Sequence, residues 1–111
     1  MGRLTTHVLD TARGCPGAGI RVTLHRNLGE RYALVADAVT NADGRCDAPL
    51  LEGAAFTAGR YRLVFAAGEY FARAGVALPD PPFVDEVAID FGVADGSAHY
   101  HVPLLVSPWS W

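Results

Sequence analysis

Apolar and polar residues alternate with a period of two along most of the chain. The clearest case is Ile20–Arg26, where Ile20, Val22 and Leu24 fall on one side and the polar residues on the other. The segment Gly59–Ala66 alternates in the same way. Clusters of Gly, Pro, Asn and Asp separate these segments, and this pattern is typical of an all-β sandwich rather than of βαβ units.

The alternation predicts six strands and one short helix. The strands are predicted at Leu4–Asp10, Ile20–Arg26, Tyr32–Thr40, Gly59–Ala66, Glu86–Val93 and Ser97–Val106. Between the fourth and fifth strands the period changes, because Tyr70, Phe71, Ala74 and Leu78 recur at steps of three and four. This spacing predicts a helix over Gly68–Leu78 that ends before Pro79.

Length and charge restrict the class of protein. A chain of 111 residues builds one core, so we expect a single domain over 1–111. The nine basic residues are all arginine and the net charge is −3, which argues against nucleic acid or an anionic membrane surface as a partner. No apolar run approaches the roughly 20 residues of a membrane helix, and no signal peptide precedes the first strand, so we expect a cytoplasmic protein.

Two cysteines, Cys15 and Cys46, lack the spacing of a disulfide framework or of a zinc site. We expect both to be reduced thiols with a structural role. The spacing of the cysteines therefore predicts neither a zinc site nor a disulfide.

The candidate chemistry lies in the histidines. In His99-Tyr100-His101, alternation along a strand turns both imidazoles to one face and the tyrosine to the other. His7 lies in the middle of the first predicted strand, where a group that titrates near neutral pH requires a compensating contact or a chemical role. His25 lies on the polar side of its strand, and we interpret it as a half-exposed residue that bonds to a neighbour.

Other interpretations of these residues stay open on the sequence alone. His99 and His101 fit an active pair, part of a divalent-metal site without its third ligand, or two solvated side chains. Arg45 directly follows the turn 41–44, where a solvated arginine is the ordinary outcome.

Three segments of the sequence resemble the transthyretin-like family, and within it the branch of 5-hydroxyisourate hydrolases. They are Leu4-Thr5-Thr6-His7-Val8-Leu9-Asp10-Thr11-Ala12-Arg13-Gly14-Cys15-Pro16-Gly17, Thr40-Asn41-Ala42-Asp43-Gly44-Arg45-Cys46 and His99-Tyr100-His101-Val102-Pro103-Leu104-Leu105-Val106-Ser107-Pro108. The hormone-carrying transthyretins share the fold but lack these histidines and this arginine. The resemblance therefore favours the enzymatic branch.

The resemblance implies a transthyretin (prealbumin)-like β-sandwich of two four-stranded antiparallel sheets with one short α-helix. It also implies a homotetramer with active sites in the channel between dimers, and no metal or organic cofactor. The implied reaction opens the six-membered ring of 5-hydroxyisourate by hydrolysis. The family roles fall on His7, Arg45 and His101 as catalytic residues, with His99 beside them in substrate binding.

The side chains themselves suggest a mechanism for such a reaction. A neutral imidazole can take a proton from water as water attacks a carbonyl, and we assign this role of general base to His101, helped or oriented by His7. Arg45 carries a permanent charge and a planar fork of donors, which suit an oxyanion and the imide-like edge of the substrate. His99 is expected to fix a tautomer or to contact the substrate.

One departure from the family pattern lies at the chain end. The family continues into a final strand and closes on Tyr-Arg-Gly-Ser, whereas this sequence stops at Trp111. We therefore expect the last strand to be missing after about residue 107, with weaker assembly and weaker hydrolysis. The alternative function is a non-catalytic transthyretin-like module that binds a small ligand or a protein.

Overall fold

The computed structural model describes residues 1–111 as eight strands, one α-helix and one short 3₁₀ helix. The strands are β1 (Arg3–Asp10), β2 (Cys15–Pro16), β3 (Arg21–Asn27), β4 (Tyr32–Val39), β5 (Leu51–Glu52), β6 (Gly59–Ala66), β7 (Glu86–Val93) and β8 (His99–Val106). The α-helix, α1, spans Ala67–Arg73, and the 3₁₀ helix spans Gly53–Ala55. The predicted all-β fold with one short helix is confirmed, and no helix is long and apolar enough to cross a membrane.

The strands form two four-stranded sheets. One sheet has the order β4-β3-β6-β7 and is antiparallel throughout. In the other, β2 and β5 pair antiparallel with opposite ends of β1, and β8 pairs with β1 in parallel over its whole length. The expectation that both sheets are antiparallel is therefore wrong for this second sheet. That expectation came with the family resemblance, and the alternation of residues could not correct it, because alternation carries no information about the direction of a neighbouring strand.

The core lies between the two sheets and follows the predicted alternation. Ile20, Val22 and Leu24 are fully buried, and Leu63 and Phe65 of β6 have no exposed surface either. Each such side chain contributes about 1.5 to 3 kcal/mol of transfer free energy when it leaves water. The sequence pattern thus identifies the inward face of the long strands except β4, where Leu34, Val35 and Val39 are exposed.

Apart from shifts of one residue at strand and helix ends, the structure differs from the prediction in three respects. Helix α1 ends at Arg73 rather than at Leu78, because Gly75 adopts φ +82° and turns the chain out of the helix. Strands β2 and β5 were not predicted, since a strand of two residues shows no alternation. Strand β8 begins at His99, two residues later than expected.

Candidate active site

Polar side chains cover the outer face of the sheet that contains β1 and β8. In β1 buried residues alternate with half-buried ones, so Thr5 and His7 face outward. In β8 the same alternation turns His99 and His101 outward, while Tyr100 packs against the core. The parallel register pairs Thr5 with His101. The prediction that the two imidazoles of β8 share one face is confirmed.

Arg45 joins this face through the turn that follows β4. Asn41 organises the turn, because its Oδ1 accepts hydrogen bonds from the backbone N–H groups of Asp43 (2.9 Å) and Arg45 (3.1 Å). The Nδ2 group of Asn41 donates to Asp47 Oδ1 at 3.0 Å. The backbone of Arg45 forms an isolated antiparallel bridge with His7, so the two residues lie side by side on the sheet.

Gly44 is the residue on which this turn depends most. Its φ is +76°, and a Cβ at this position would lie 2.3 Å from the carbonyl oxygen of Val8. The Val8 N–H donates to the Gly44 carbonyl at 2.8 Å, so the backbone of the turn lies directly against β1. A side chain here would push the turn, and Arg45 with it, away from His7.

We therefore expect Gly44→Ala to lower the free energy of unfolding by about 2 kcal/mol, because backbone strain adds to a clash with backbone. Gly14→Ala is the matched control, since Gly14 has φ +67° but no atom within 4 Å of an added Cβ. In this control the free energy of unfolding should fall by about 1 kcal/mol, from backbone strain alone. Denaturant unfolding of both variants measures the difference, and equal losses would contradict the clash.

A cleft of about 420 Å³ opens beside these residues. Its lining includes Arg3, Thr5, Arg45, His99 and His101. Neither arginine forms a salt bridge, since the four ion pairs of the protein involve other arginines. Two unpaired guanidinium groups next to imidazoles make the cleft suitable for an anionic or carbonyl-rich ligand.

His7 lies on the same sheet face but outside the lining of the cleft. Its Nε2 is 2.9 Å from the backbone carbonyl oxygen of Asp43. A carbonyl oxygen only accepts hydrogen bonds, so Nε2 carries a proton and donates it. When the ring is neutral, its lone pair is therefore on Nδ1. The turn that carries Arg45 thus also sets the tautomer of His7.

The environment of His101 keeps its ring in the neutral form. Loss of surrounding water, followed by the charges of Arg45, His7 and His99, lowers the pKa of His101 below its ordinary value of 6.5. At pH 7 the ring is therefore neutral and has a lone pair available. This is the state that a general base requires.

Other parts of the surface do not combine these features. His25 lies on the other sheet and forms a hydrogen bond with Thr23 Oγ1 at 2.9 Å, as its structural interpretation predicts. A larger cleft of about 650 Å³ also lies on that sheet, but no histidine lines it and Asp90 in its wall pairs with Arg62. No group of three or more His, Cys, Asp or Glu side chains is arranged to hold a metal ion.

The structure thus gathers three of the four predicted site residues around one cleft and places the fourth, His7, beside it. Sequence reasoning assigned no role to Thr5 or Arg3, which also line the cleft. Both lie at outward positions of β1, on the same face as His7. This shared face is the sequence feature that could have identified them as site residues.

The fold and the site together define a transthyretin-type β-sandwich with a cationic, imidazole-bearing cleft on the outer face of one sheet. The chain belongs to the HIUase/Transthyretin family, whose sequence model matches residues 4–111. The resemblance noted from the three sequence segments is thereby confirmed.

The relatives of this chain cover nearly its whole length. It is 60% identical over 111 residues to a 5-hydroxyisourate hydrolase from Ralstonia nicotianae. That alignment spans 100% of this chain and 95% of the relative. A solved 5-hydroxyisourate hydrolase from Klebsiella pneumoniae is 38% identical, with a TM-score of 0.81 and coverage of 100% of this chain and 94% of that chain. A solved (S)-allantoin synthase is 49% identical, with a TM-score of 0.91. This match covers 98% of this chain and 41% of the synthase chain.

Proposed function

We propose that this protein is a 5-hydroxyisourate hydrolase of urate breakdown that opens the six-membered ring of its substrate with water. The product is 2-oxo-4-hydroxy-4-carboxy-5-ureidoimidazoline. The observation that carries the proposal is the convergence of Arg45, His99 and His101 on one cleft, with His7 beside it. The names of the full-length relatives point to the same reaction.

His101 is the general base in this proposal. Its neutral ring takes a proton from water as the water oxygen attacks the ring carbonyl carbon and forms a new C–O bond. The C–N bond of the cyclic amide then breaks, and the imidazolium returns the proton to the leaving nitrogen. The charges balance without a cofactor, because water supplies both the hydroxyl and the proton.

Arg45 stabilises the negative charge that develops on the carbonyl oxygen. Its guanidinium is always protonated and lies on the cleft wall without a carboxylate partner. His7 lies next to Arg45 and orients the reacting groups from the edge of the cleft. His99 contacts the substrate from the neighbouring position on β8.

The pH profile of the proposed enzyme follows from the lowered pKa of His101. We expect kcat/KM to fall as pH decreases through a midpoint below 6.5, because protonation removes the base. Arg45→Gln should move this midpoint upward, since a removed positive charge favours the imidazolium form. Arg60→Gln, a change in the larger cleft on the other sheet, is the matched control and should leave the midpoint unchanged. A wild-type midpoint at or above 6.5 would contradict this assignment.

A direct assay separates hydrolysis from mere binding. Freshly generated 5-hydroxyisourate is followed by its ultraviolet absorbance, with and without the protein. Faster decay with protein supports the hydrolase. Decay at the spontaneous rate, together with saturable binding of the same compound, would favour the alternative of a non-catalytic small-ligand module.

We infer further that copies of the chain assemble into a homotetramer that covers the open cleft. The exposed large apolar side chains Phe83, Leu105 and Trp109 support this inference, because an interface between copies would bury them. Light scattering on purified protein tests the assembly, and a monomer with full turnover would refute a catalytic need for it.

The proposed site of action is the cytoplasm. Both cysteines are free thiols, and Cys46 lines the cleft. Burial, followed by the charge of Asp47, raises the pKa of the Cys46 thiol, so this thiol is held in its less reactive form. These thiol states are compatible with a reducing compartment.

A further inference from the structure

Thr5 connects the two histidines of β8. Its Oγ1 is 2.8 Å from His101 Nδ1 and 3.1 Å from His99 Nε2. The connection follows from the fold, because Thr5 is the register partner of His101 in the parallel pair β1–β8 and faces the same side of the sheet. A single hydroxyl therefore contacts both imidazoles of the proposed site.

A hydroxyl group has one proton to donate, and this fact links the two rings. The oxygen has two lone pairs but only one proton, so when both imidazoles are neutral at most one of them can present a lone pair to Thr5. If His101 presents its lone pair on Nδ1, then His99 must carry its proton on Nε2. If His101 carries its proton on Nδ1, the Thr5 proton is available to a lone pair on His99 Nε2.

The chemistry of the cleft selects one of these two arrangements. The Nδ1 atom of His101 is occupied by Thr5, so only Nε2 of this ring is free to take a proton from water. A lone pair on Nε2 requires the proton of the neutral ring to be on Nδ1. A neutral histidine in water carries its proton mainly on Nε2, so a specific hydrogen bond must hold the opposite tautomer.

We propose that Thr5 is a positioning residue that holds His101 with its proton on Nδ1 and its lone pair on Nε2. In this arrangement His101 Nδ1–H donates to Thr5 Oγ1, and the Thr5 hydroxyl donates to His99 Nε2. Thr5 acts through His101 and does not itself exchange protons with substrate. The proposal deepens the proposed function, because it rests on His101 as the base.

The chain offers a matched control for this role. On the other sheet, Thr23 Oγ1 forms a hydrogen bond with His25 Nε2 at 2.9 Å, and both of these residues are half-buried. Thr5→Val and Thr23→Val each remove one hydroxyl and keep a β-branched side chain of nearly the same shape. Only the first change removes a contact to the proposed base.

The experiment combines a spectroscopic and a kinetic measurement. Nitrogen-15 NMR of the histidine side chains at pH 8 reports which ring nitrogen carries the proton in the protein without substrate. We expect His101 to be protonated on Nδ1 in the wild type and to move toward the Nε2–H form in Thr5→Val. We expect kcat to fall by about 10- to 100-fold with little change in KM, as when a functional histidine loses its orienting partner. Thr5→Ser should keep the wild-type tautomer and most of the activity, and Thr23→Val should match the wild type.

The two measurements distinguish failure of this inference from failure of the proposed function. A wild-type His101 that carries its proton on Nε2 would overturn the role of Thr5, and this result does not depend on any variant folding. Equal tautomers and equal kcat in Thr5→Val and Thr23→Val would overturn it as well. Absence of hydrolysis by the wild type would instead refute the proposed function, while the NMR result would still report on Thr5.

Discussion

Replacing His101 with asparagine should lower kcat for 5-hydroxyisourate by about 10²- to 10⁴-fold, the usual contribution of a general base. Asparagine keeps a polar atom near the position of Nδ1, so contact with Thr5 remains possible. It has no atom at the position of Nε2, where the water proton must go. The change therefore removes the proposed base and leaves the strand and its neighbours in place.

His25→Asn is the control for this experiment. His25 also lies on a strand, also bonds to a threonine hydroxyl, and belongs to the opposite sheet. Its replacement should leave kcat within about twofold of the wild type. If His101→Asn turned over substrate as fast as His25→Asn, His101 would not be the general base, and His7 would be the remaining candidate.

The second large effect concerns stability and lies at the far end of β1. The carboxylate of Asp10 is fully buried and accepts hydrogen bonds from the backbone N–H groups of Ala12 and Arg13, each at 3.0 Å. It also accepts bonds from Arg13 Nε at 2.8 Å and from the Tyr70 hydroxyl at 2.8 Å. This carboxylate thus connects the end of β1 to helix α1.

We expect Asp10→Ala to lower the free energy of unfolding by about 3 to 4 kcal/mol, measured by denaturant unfolding at pH 7. Loss of one member of a buried ion pair typically costs about 3 to 5 kcal/mol, and the partial exposure of Arg13 reduces the figure. The Tyr70 hydroxyl donates to Asp10 in a buried hydrogen bond, so the variant leaves this donor without its acceptor.

Asp90→Ala is the comparison, because Asp90 pairs with Arg62 on the surface through two hydrogen bonds of 2.6 and 3.0 Å. An exposed pair contributes little because solvent screens it, so this variant should be nearly as stable as the wild type. A loss in Asp10→Ala no larger than that in Asp90→Ala would show that the buried carboxylate is not a structural anchor.

The effect of Asp10 should also depend on pH in a defined direction. Burial raises the pKa of Asp10, but the hydrogen bonds of Arg13 and Tyr70 outweigh it and hold the pKa below its ordinary value of 3.8. A lowered pKa in the folded state means that the stabilisation is complete above about pH 4 and is lost as pH falls through the folded value. The difference between wild type and Asp10→Ala should therefore shrink only in strong acid.

The long strands were predictable from the sequence, and so was the inward face of each except β4, because alternation is a local property. Ile20, Val22 and Leu24 alternate with polar residues, and all three are fully buried. The shared face of His99 and His101 follows from the same rule. The end of the helix was less predictable, because the spacing of apolar residues continues to Leu78 beyond the glycine that stops it.

The composition of the cleft was predictable only in part. The resemblance identified Arg45 and the histidines, but their contacts depend on register and on turn geometry. The parallel pairing that brings Thr5 beside His101 and the Asp43 carbonyl that orients His7 both join segments distant in sequence. No local pattern contains such contacts, so the roles of Thr5 and Asn41 required the structure.

The parallel pairing of β1 with β8 also bears on how the protein is made. Residue 5 contacts residues 99 and 101, so these contacts join parts of the chain separated by 94 and 96 positions. Contacts of such long sequence separation form slowly, since the intervening chain must be closed into a loop before they stabilise it. The cleft cannot be complete on the ribosome until His101 has emerged, and until then β1 lacks β8 as its parallel neighbour. If the cleft is the active site, as proposed, activity requires that this long-range pairing has formed.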